Sequence, residues 1–518
     1  MARIRTDRSL RRRPQPSRGD DPMSALPDDL LLLVLRRLDT RSALRTALLS
    51  TRWARLHREL LLLDFRVGSM LPPRYHRLVL LRHDINMHRS YLRYRKSDLS
   101  PKIKRYERGA MRALTRSVET FLDDEDIRGA RGSVSMLRLE FFITHNPGCM
   151  NRLIARSIDD WGVRDLEAVA KPINFRQSVH TFPGHGLCHD PRASCLRSLK
   201  LVGCALPPLH EFGALTMLVL QDIKGSTPTA AYEGVLTLCP QLQVLQLKSC
   251  EFPLEDTDLV VDAPSSQIRE LVFNKCRFGQ VRMRALPNLE SLASRDTTLH
   301  FDQSALFPCL RQCNHTTRVG LFLTSVGQPR VYIGHQLELG SFLGRTPYIT
   351  NLVLRFTGPR RWIVPPSGSS SPLLPQLRKL LVADVPSSWD VSWPCLLLEM
   401  APSLETLHIH IAPCNERPGH VIPWEPTELR RHHLKELVVA GFQGTKRQIC
   451  FVKFVVGVST SLRRVALFRN GRAEDKGHWD WEMVTEQHSW TNRQKNATQK
   501  KIMDGVSFSR PPPQFVFG

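Results

Sequence analysis

The feature that most constrains this chain is a six-residue pattern, L-x-x-L-x-L, that keeps returning from about residue 134 onward. Clear copies start at Leu196 (then Leu199, Leu201, Cys204), Leu215, Leu242 (Leu245, Leu247, Cys250) and Ile268 (Leu271, Phe273, Cys276). Others start at Ile349, Leu377, Leu404, Leu434 and Leu462, and weaker copies lie near Val134, Leu166, Leu289 and Leu310. The starts fall mostly about 20–30 residues apart, a solenoid period. One more copy is expected between Leu310 and Ile349. The L-x-L pair has period two, so both side chains leave the same face of a short strand. One unit cannot bury that face alone. Neighbours must stack, with parallel strands lining one side of a continuous core. The register puts Cys204, Cys250 and Cys276 at one equivalent position, which reads as a structural role at a turn.

A different pattern precedes the repeats. Pro27 suits a first helical turn, where its missing N–H is not needed. Asp28 and Asp29 follow at the positive end of the helix dipole. Leu30, Leu31, Val34, Leu35 and Leu38 make a broad apolar stripe. Two further short helices are expected, one from about Ser42 to Leu49 and one after Ser50 carrying Trp53 and Leu56. Three helices over ~35 residues bury too little surface to stand alone, so the module must pack on something else.

The run Leu26-Pro27-x-x-Leu30-Leu31-x-x-Val34-Leu35-x-x-Leu38, then Leu44 and Leu49-Ser50-x-x-Trp53, resembles an F-box. That resemblance implies docking onto an SKP-type adaptor and, through it, a cullin-based ubiquitin ligase. It implies that Leu26, Pro27, Leu30, Leu31, Val34, Leu35, Leu49, Ser50 and Trp53 form or support the docking surface. The repeats resemble the leucine-rich-repeat fold in its irregular plant form. Residues 393–470, with Leu396–Leu407 and His432–Gly444, are similar to the FBD region that follows F-box and repeats in many plant proteins. The expected fold class is therefore α/β: a three-helix F-box followed by a right-handed leucine-rich-repeat solenoid. The expected layout is a disordered basic arm at 1–22, the F-box at 23–62, a basic helical connector at 63–133, repeats at 134–392, the FBD-like region with the final repeats at 393–470, and a C-terminal tail at 471–518 that caps the last repeat.

Charge and composition narrow the partners. The chain holds 73 Lys+Arg against 49 Asp+Glu, a net +24, and residues 1–133 carry +14 of it. The excess therefore belongs mainly to the arm and connector. The arm reads as a solvated tail, with nucleic-acid binding or nuclear import as alternatives. In the connector, bases interleave with Tyr75 and Tyr106, but no RNA-binding signature is present. A helix is expected there from about 102. The longest apolar run, Leu30 to Leu35, is six residues, far short of the ~20 a membrane span needs. The twelve Cys follow no short regular spacing, which fits reduced thiols and a cytoplasmic or nuclear setting.

No phosphate-binding loop, dinucleotide fingerprint, zinc-protease helix or nucleophile elbow is found. Cys309, Cys313 and His315, and His185 with Cys188 and His189, lack a second pair at metal-ligand spacing. No catalytic residue, metal or cofactor is expected. The function expected from the resemblance is a non-catalytic substrate-recognition subunit of an SCF-type ligase. The alternative is a basic repeat scaffold that holds nucleic acid or an acidic protein. Target contacts are expected on the outward positions of the concave strands: Lys200, Lys248, Arg355, Lys379, His408, His410 and Arg464. These lean basic, so an acidic target surface is expected.

Overall fold

A computed structural model describes residues 26–518, apart from 47–48, 57–58, 88–92, 129–133, 144–146, 173–178, 192–193, 252–257, 298, 303–304, 306, 319–320, 324–328, 332–336, 339–342, 358–362, 365–373, 388–393, 414–431, 486–489 and 507–510. The basic arm lies outside the described residues. Three short helices come first: α1 (Asp28–Arg37), α2 (Thr40–Arg45) and α3 (Thr51–Leu56). Among the described residues, fifteen strands then form one parallel sheet in which sequence order is spatial order. They are β1 (Leu62–Arg66), β2 (Met136–Phe142), β3 (Asp165–Lys171), β4 (Ser198–Val202), β5 (Met217–Gln221), β6 (Val244–Lys248), β7 (Glu270–Asn274), β8 (Ser291–Arg295), β9 (Gln312–Arg318), β10 (Asn351–Thr357), β11 (Lys379–Pro386), β12 (Thr406–Ala412), β13 (Glu436–Ala440), β14 (Arg464–Phe468) and β15 (Gln514–Phe517). A sheet this long, with every strand parallel to the one before, fits a solenoid-like arrangement.

The repeated pattern explains the register. Leu199 and Leu201 pair with Leu218 and Leu220, which pair with Leu245 and Leu247, then Leu271 and Phe273. All of these are buried in one continuous core. The first apolar residue of each copy (Leu196, Leu215, Leu242, Ile268, Ile349, Leu377) is buried in it too. Each coil closes with a feature the pattern did not show. The residue just after the strand core is left-handed in seven coils: Gly203, Asp222, Ser249, Lys275, Asp296, Asp384 and Gly441. That turn points the next side chain inward. Cys204, Cys250 and Cys276 fill the position, with thiols 3.8, 3.4 and 3.3 Å from the carbonyls of Ala168, Leu220 and Leu247 in the preceding coil. All three are buried with their thiols turned onto backbone carbonyls, a structural role; burial pushes the Cys204 thiol up to about 12.

Three expectations need correcting. The sheet starts at β1, across the expected boundary between F-box and connector and well before 134, because Leu60, Leu63 and Phe65 make an isolated early copy of the repeat. The connector, where one helix is expected from about 102, holds two. It forms a helical hairpin, α4 (Pro73–Met87) and α5 (Arg93–Arg128). Met111, Leu114, Val118 and Phe121 of α5 sink into the main core, and Tyr75 donates to the buried Glu107 at 3.1 Å. Finally, β9, the strand of the Leu310 copy, pairs directly with β10, the strand of the Ile349 copy, so among the described residues no further strand of the main sheet is inserted between those two copies.

The end of the chain does two things. The tail supplies β15, which extends the sheet beyond β14. Before that, Gly471–Lys476 and Asp480–Thr485 form an antiparallel two-stranded ribbon. Gly477, at φ +81°, permits its turn. The ribbon is not part of the main sheet.

Two buried histidines give the core a pH dependence. His180 packs edge-on against Phe141 and Phe182, with Nε2 2.9 Å from Asn151 Oδ1. Burial pulls it, and the fully enclosed His315, down to about 4. In the unfolded chain both titrate near 6.5. Between those values the unfolded state binds more protons, so stability is complete above about pH 6.5 and falls as the pH drops toward 4. The urea midpoint is expected to fall between pH 7 and pH 4.5, and less steeply in a His180→Gln/His315→Gln chain. Equal pH slopes in the two proteins would contradict this.

Candidate functional site

Two surfaces are candidates: the helical module and the sheet face opposite the core. In the module, Leu30 and Leu31 donate their backbone N–H to Pro27 O at 3.1 Å, which starts α1. Asp28 then clamps α3 onto α1 through Arg52 (2.6 Å) and Arg55 (2.9 Å), and Arg52 also donates to Leu26 O. The Arg52 hydrogen bond is the main reason the Asp28 carboxyl lies below its usual range. Leu31, Leu35, Ala43, Trp53, Leu56 and Leu60 make a small core of their own. Asp39 caps α2 by accepting from Ser42 N at 3.0 Å. The module is fastened to the sheet where Asp64 N of β1 donates to Thr40 Oγ1 at 2.7 Å, and Leu44 packs on the main core.

The predicted docking set divides accordingly. Leu31, Leu35 and Trp53 are interior supports. Leu26 and Val34 are half-buried, and Pro27 and Ser50 are exposed. Ser50 also accepts from Trp53 N at 3.4 Å, which positions α3. Leu30 is 45% exposed and Leu49 69%. Sequence reasoning missed Leu33, 53% exposed and three residues from Leu30 on the same helix face. The available signal was an apolar residue at a position the helix period assigns to solvent.

The second surface differs from expectation. Its outward positions on β2–β4 are an ion ladder: Arg138 to Glu167 (3.5 Å) and Glu167 to Lys200 (2.6 Å), with Lys171 on Glu140 (2.8 Å) nearby. Lys200 is thus already paired. Lys248 is half-buried, and burial together with Lys200 lowers its pKa. Lys379 and Arg464 are exposed, with Arg464 3.0 Å from Glu436.

Arg355, His408 and His410 are not open target contacts: the ribbon engages the first two, and the third is buried against Asp384. Arg355 binds Asp384 (2.9 Å), Asp475 (2.9 Å) and Ala473 O (3.1 Å). His410 is buried against Asp384 at 2.8 Å. Burial alone would raise the Asp384 carboxyl, yet His410 and Arg355 hold it below its usual range. His408 Nδ1 accepts from Trp481 Nε1 at 2.8 Å. The ribbon thus closes over part of the face that the sequence offered as free.

Among the described residues, His185, His210 and Glu211 bring their ligand atoms within 4.8 Å of one another. Both Glu211 oxygens are already engaged. They accept from Gly186 N (2.9 Å), Leu187 N (3.0 Å) and Cys188 N (3.0 Å), so this carboxylate anchors a loop. No helix among the described residues is long and apolar enough to cross a membrane.

Comparison with known families agrees with the helical module. Residues 23–56 match the F-box domain family, so the chain carries an F-box domain there. No curated protein matches the chain.

Proposed function

We propose that this chain is the substrate-recognition subunit of an SCF-type ubiquitin ligase. Its F-box docks onto an SKP-type adaptor and thereby a cullin, and its sheet presents a target protein for ubiquitination. The observation that carries this reading is the F-box match over 23–56, coincident with exposed Leu30 and Leu33 on α1 and Leu49 in the turn before α3, in a module whose own core is already filled. Apolar side chains held in water by a closed core favour a partner that covers them. The fifteen-stranded array is read as a right-handed leucine-rich-repeat solenoid beginning at β1, and residues 393–470 as an FBD-like region of the plant class. The work is done in the nucleus or cytoplasm. The chain itself performs no chemistry and needs no cofactor. It raises the local concentration of target lysines near the charged ubiquitin carrier.

Purified chain is expected to capture an SKP-type adaptor from solution, and a version lacking residues 23–56 is expected not to. Affinity capture with that shortened version should retain targets instead of degrading them. Absence of adaptor capture by the intact chain, with binding to nucleic acid that falls steeply with salt, would replace this reading with that of a basic scaffold.

A further inference from the structure

The ribbon Gly471–Thr485 raises a question the proposed function leaves open. It lies on the outer face of the sheet, where a target would sit. Its carboxylate Asp475 is held between two guanidinium groups: Arg295 Nη2 at 2.8 Å on Oδ2 and Arg355 Nη2 at 2.9 Å on Oδ1. Each oxygen has its own cation, the geometry of a carboxylate receptor. Beside it, Val353, Leu381 and Ala383 of the sheet receive Ala473, Trp481 and Met483. At the turn, Arg295 donates to Gly477 O at 3.1 Å and Asn314 Nδ2 to His478 O at 2.9 Å.

The ribbon's hold is built from side chains. Among the described residues no backbone-to-backbone hydrogen bond joins it to the sheet. The fit is also incomplete. Asn274 Oδ1, Asn314 Oδ1 and Thr316 Oγ1 on the sheet are buried without a hydrogen-bond partner among the described residues, and so is His478 Nδ1 on the ribbon. Unmatched buried acceptors are costly. A partner bringing N–H donors to them gains what the ribbon does not supply.

We propose that the face formed by β8–β12 is a binding site for an extended acidic segment of a partner protein, with a carboxylate beside an aromatic residue, and that the ribbon is a built-in competitor for it. This rests on reading the open face of the sheet as the target-binding face. Arg295 and Arg355 take the partner's carboxylate, and Val353, Leu381 and Ala383 take its aromatic neighbour. The apparent affinity of any such partner is then reduced by the fraction of molecules whose ribbon is seated.

The test uses a labelled synthetic peptide of residues 471–485 as probe, added to three full-length chains. These are the unaltered chain, Asp475→Asn, and a chain whose residues 472–484 are replaced by a short Gly-Ser connector. The unaltered chain is expected to bind the peptide weakly. Asp475→Asn, which takes the ribbon's carboxylate from both arginines and leaves Arg355 with Asp384, should bind about tenfold more tightly, and the replaced chain more tightly still. An affinity in Asp475→Asn equal to that of the unaltered chain overturns the proposal, as does failure of a folded replaced chain to bind. If the replaced chain does not fold, Asp475→Asn decides alone. Adaptor capture should be the same for all three, so its loss counts against F-box docking and not against this site.

Discussion

Leu30→Asp, Leu33→Asp and Leu49→Asp together are expected to abolish adaptor capture while leaving the chain folded. The three side chains are about half or more in water, so a carboxylate there costs the free protein little. At an interface the same carboxylates would be buried without partners, and desolvation of an unpaired charge is among the largest penalties available. Apolar residues at the centre of a contact carry several kcal/mol each when they are hot spots, so a loss of at least about 100-fold is expected from the triple change. The contrast is Leu31→Asp. Leu31 is fully enclosed with Leu35 and Trp53, and a buried charge there unfolds the module. Pull-down with the adaptor, paired with circular dichroism, separates the two cases. Capture that survives the triple change would move the docking surface off these helices.

Gly441→Ala is expected to lower stability by about 2–4 kcal/mol, read from the urea midpoint. Gly441 occupies the left-handed position after β13, at φ +77°. A Cβ there would lie 2.1 Å from Ile411 O of the preceding coil. Backbone cannot yield as a side-chain tip can. Gly444 is the control. It is also left-handed, at φ +69°, but its Cβ would meet nothing nearer than Phe442 Cε1 at 3.9 Å. Gly444→Ala should therefore cost only the backbone conformational penalty, about 1–2 kcal/mol. Equal losses would mean that coil spacing is not what demands glycine at 441. Gly203, at φ +65° and 2.4 Å from Ala170 O by the same construction, repeats the arrangement near the other end of the array.

These two sites show what could be read from the chain and what could not. The strands were legible because two apolar residues at period two, preceded by a third, leave one way to bury all three. The copy at Leu60, Leu63 and Phe65 escaped because the α4–α5 hairpin separates it from the next. The left-handed turn escaped because Gly, Asp, Ser and Lys all fill it, so no single residue type marks it. In the docking module, the interior residues followed from helix period. Leu33 did not, since period assigns it to water. The ribbon was invisible because Arg472-Ala473-Glu474-Asp475-Lys476 carries no apolar alternation. Its main partner, Arg355, stands 120 residues earlier in the chain. Two residues chosen as open contacts, Arg355 and His408, thus turned out to be held by a segment whose destination only the folded structure reveals.

The hydrogen bond from the Asp64 amide to Thr40 has a consequence for reach. A receptor hung on a long linker sweeps a volume and dilutes its cargo as the linker grows. Here the helices of the F-box module are fastened to the first strand, so the sheet would work as a ruler rather than a leash. Successive strands are about 4.8 Å apart, which puts a partner on β12 roughly 40 Å farther along the sheet than one on β4. On the reading proposed above, the strand a partner chooses decides which of its lysines come within range.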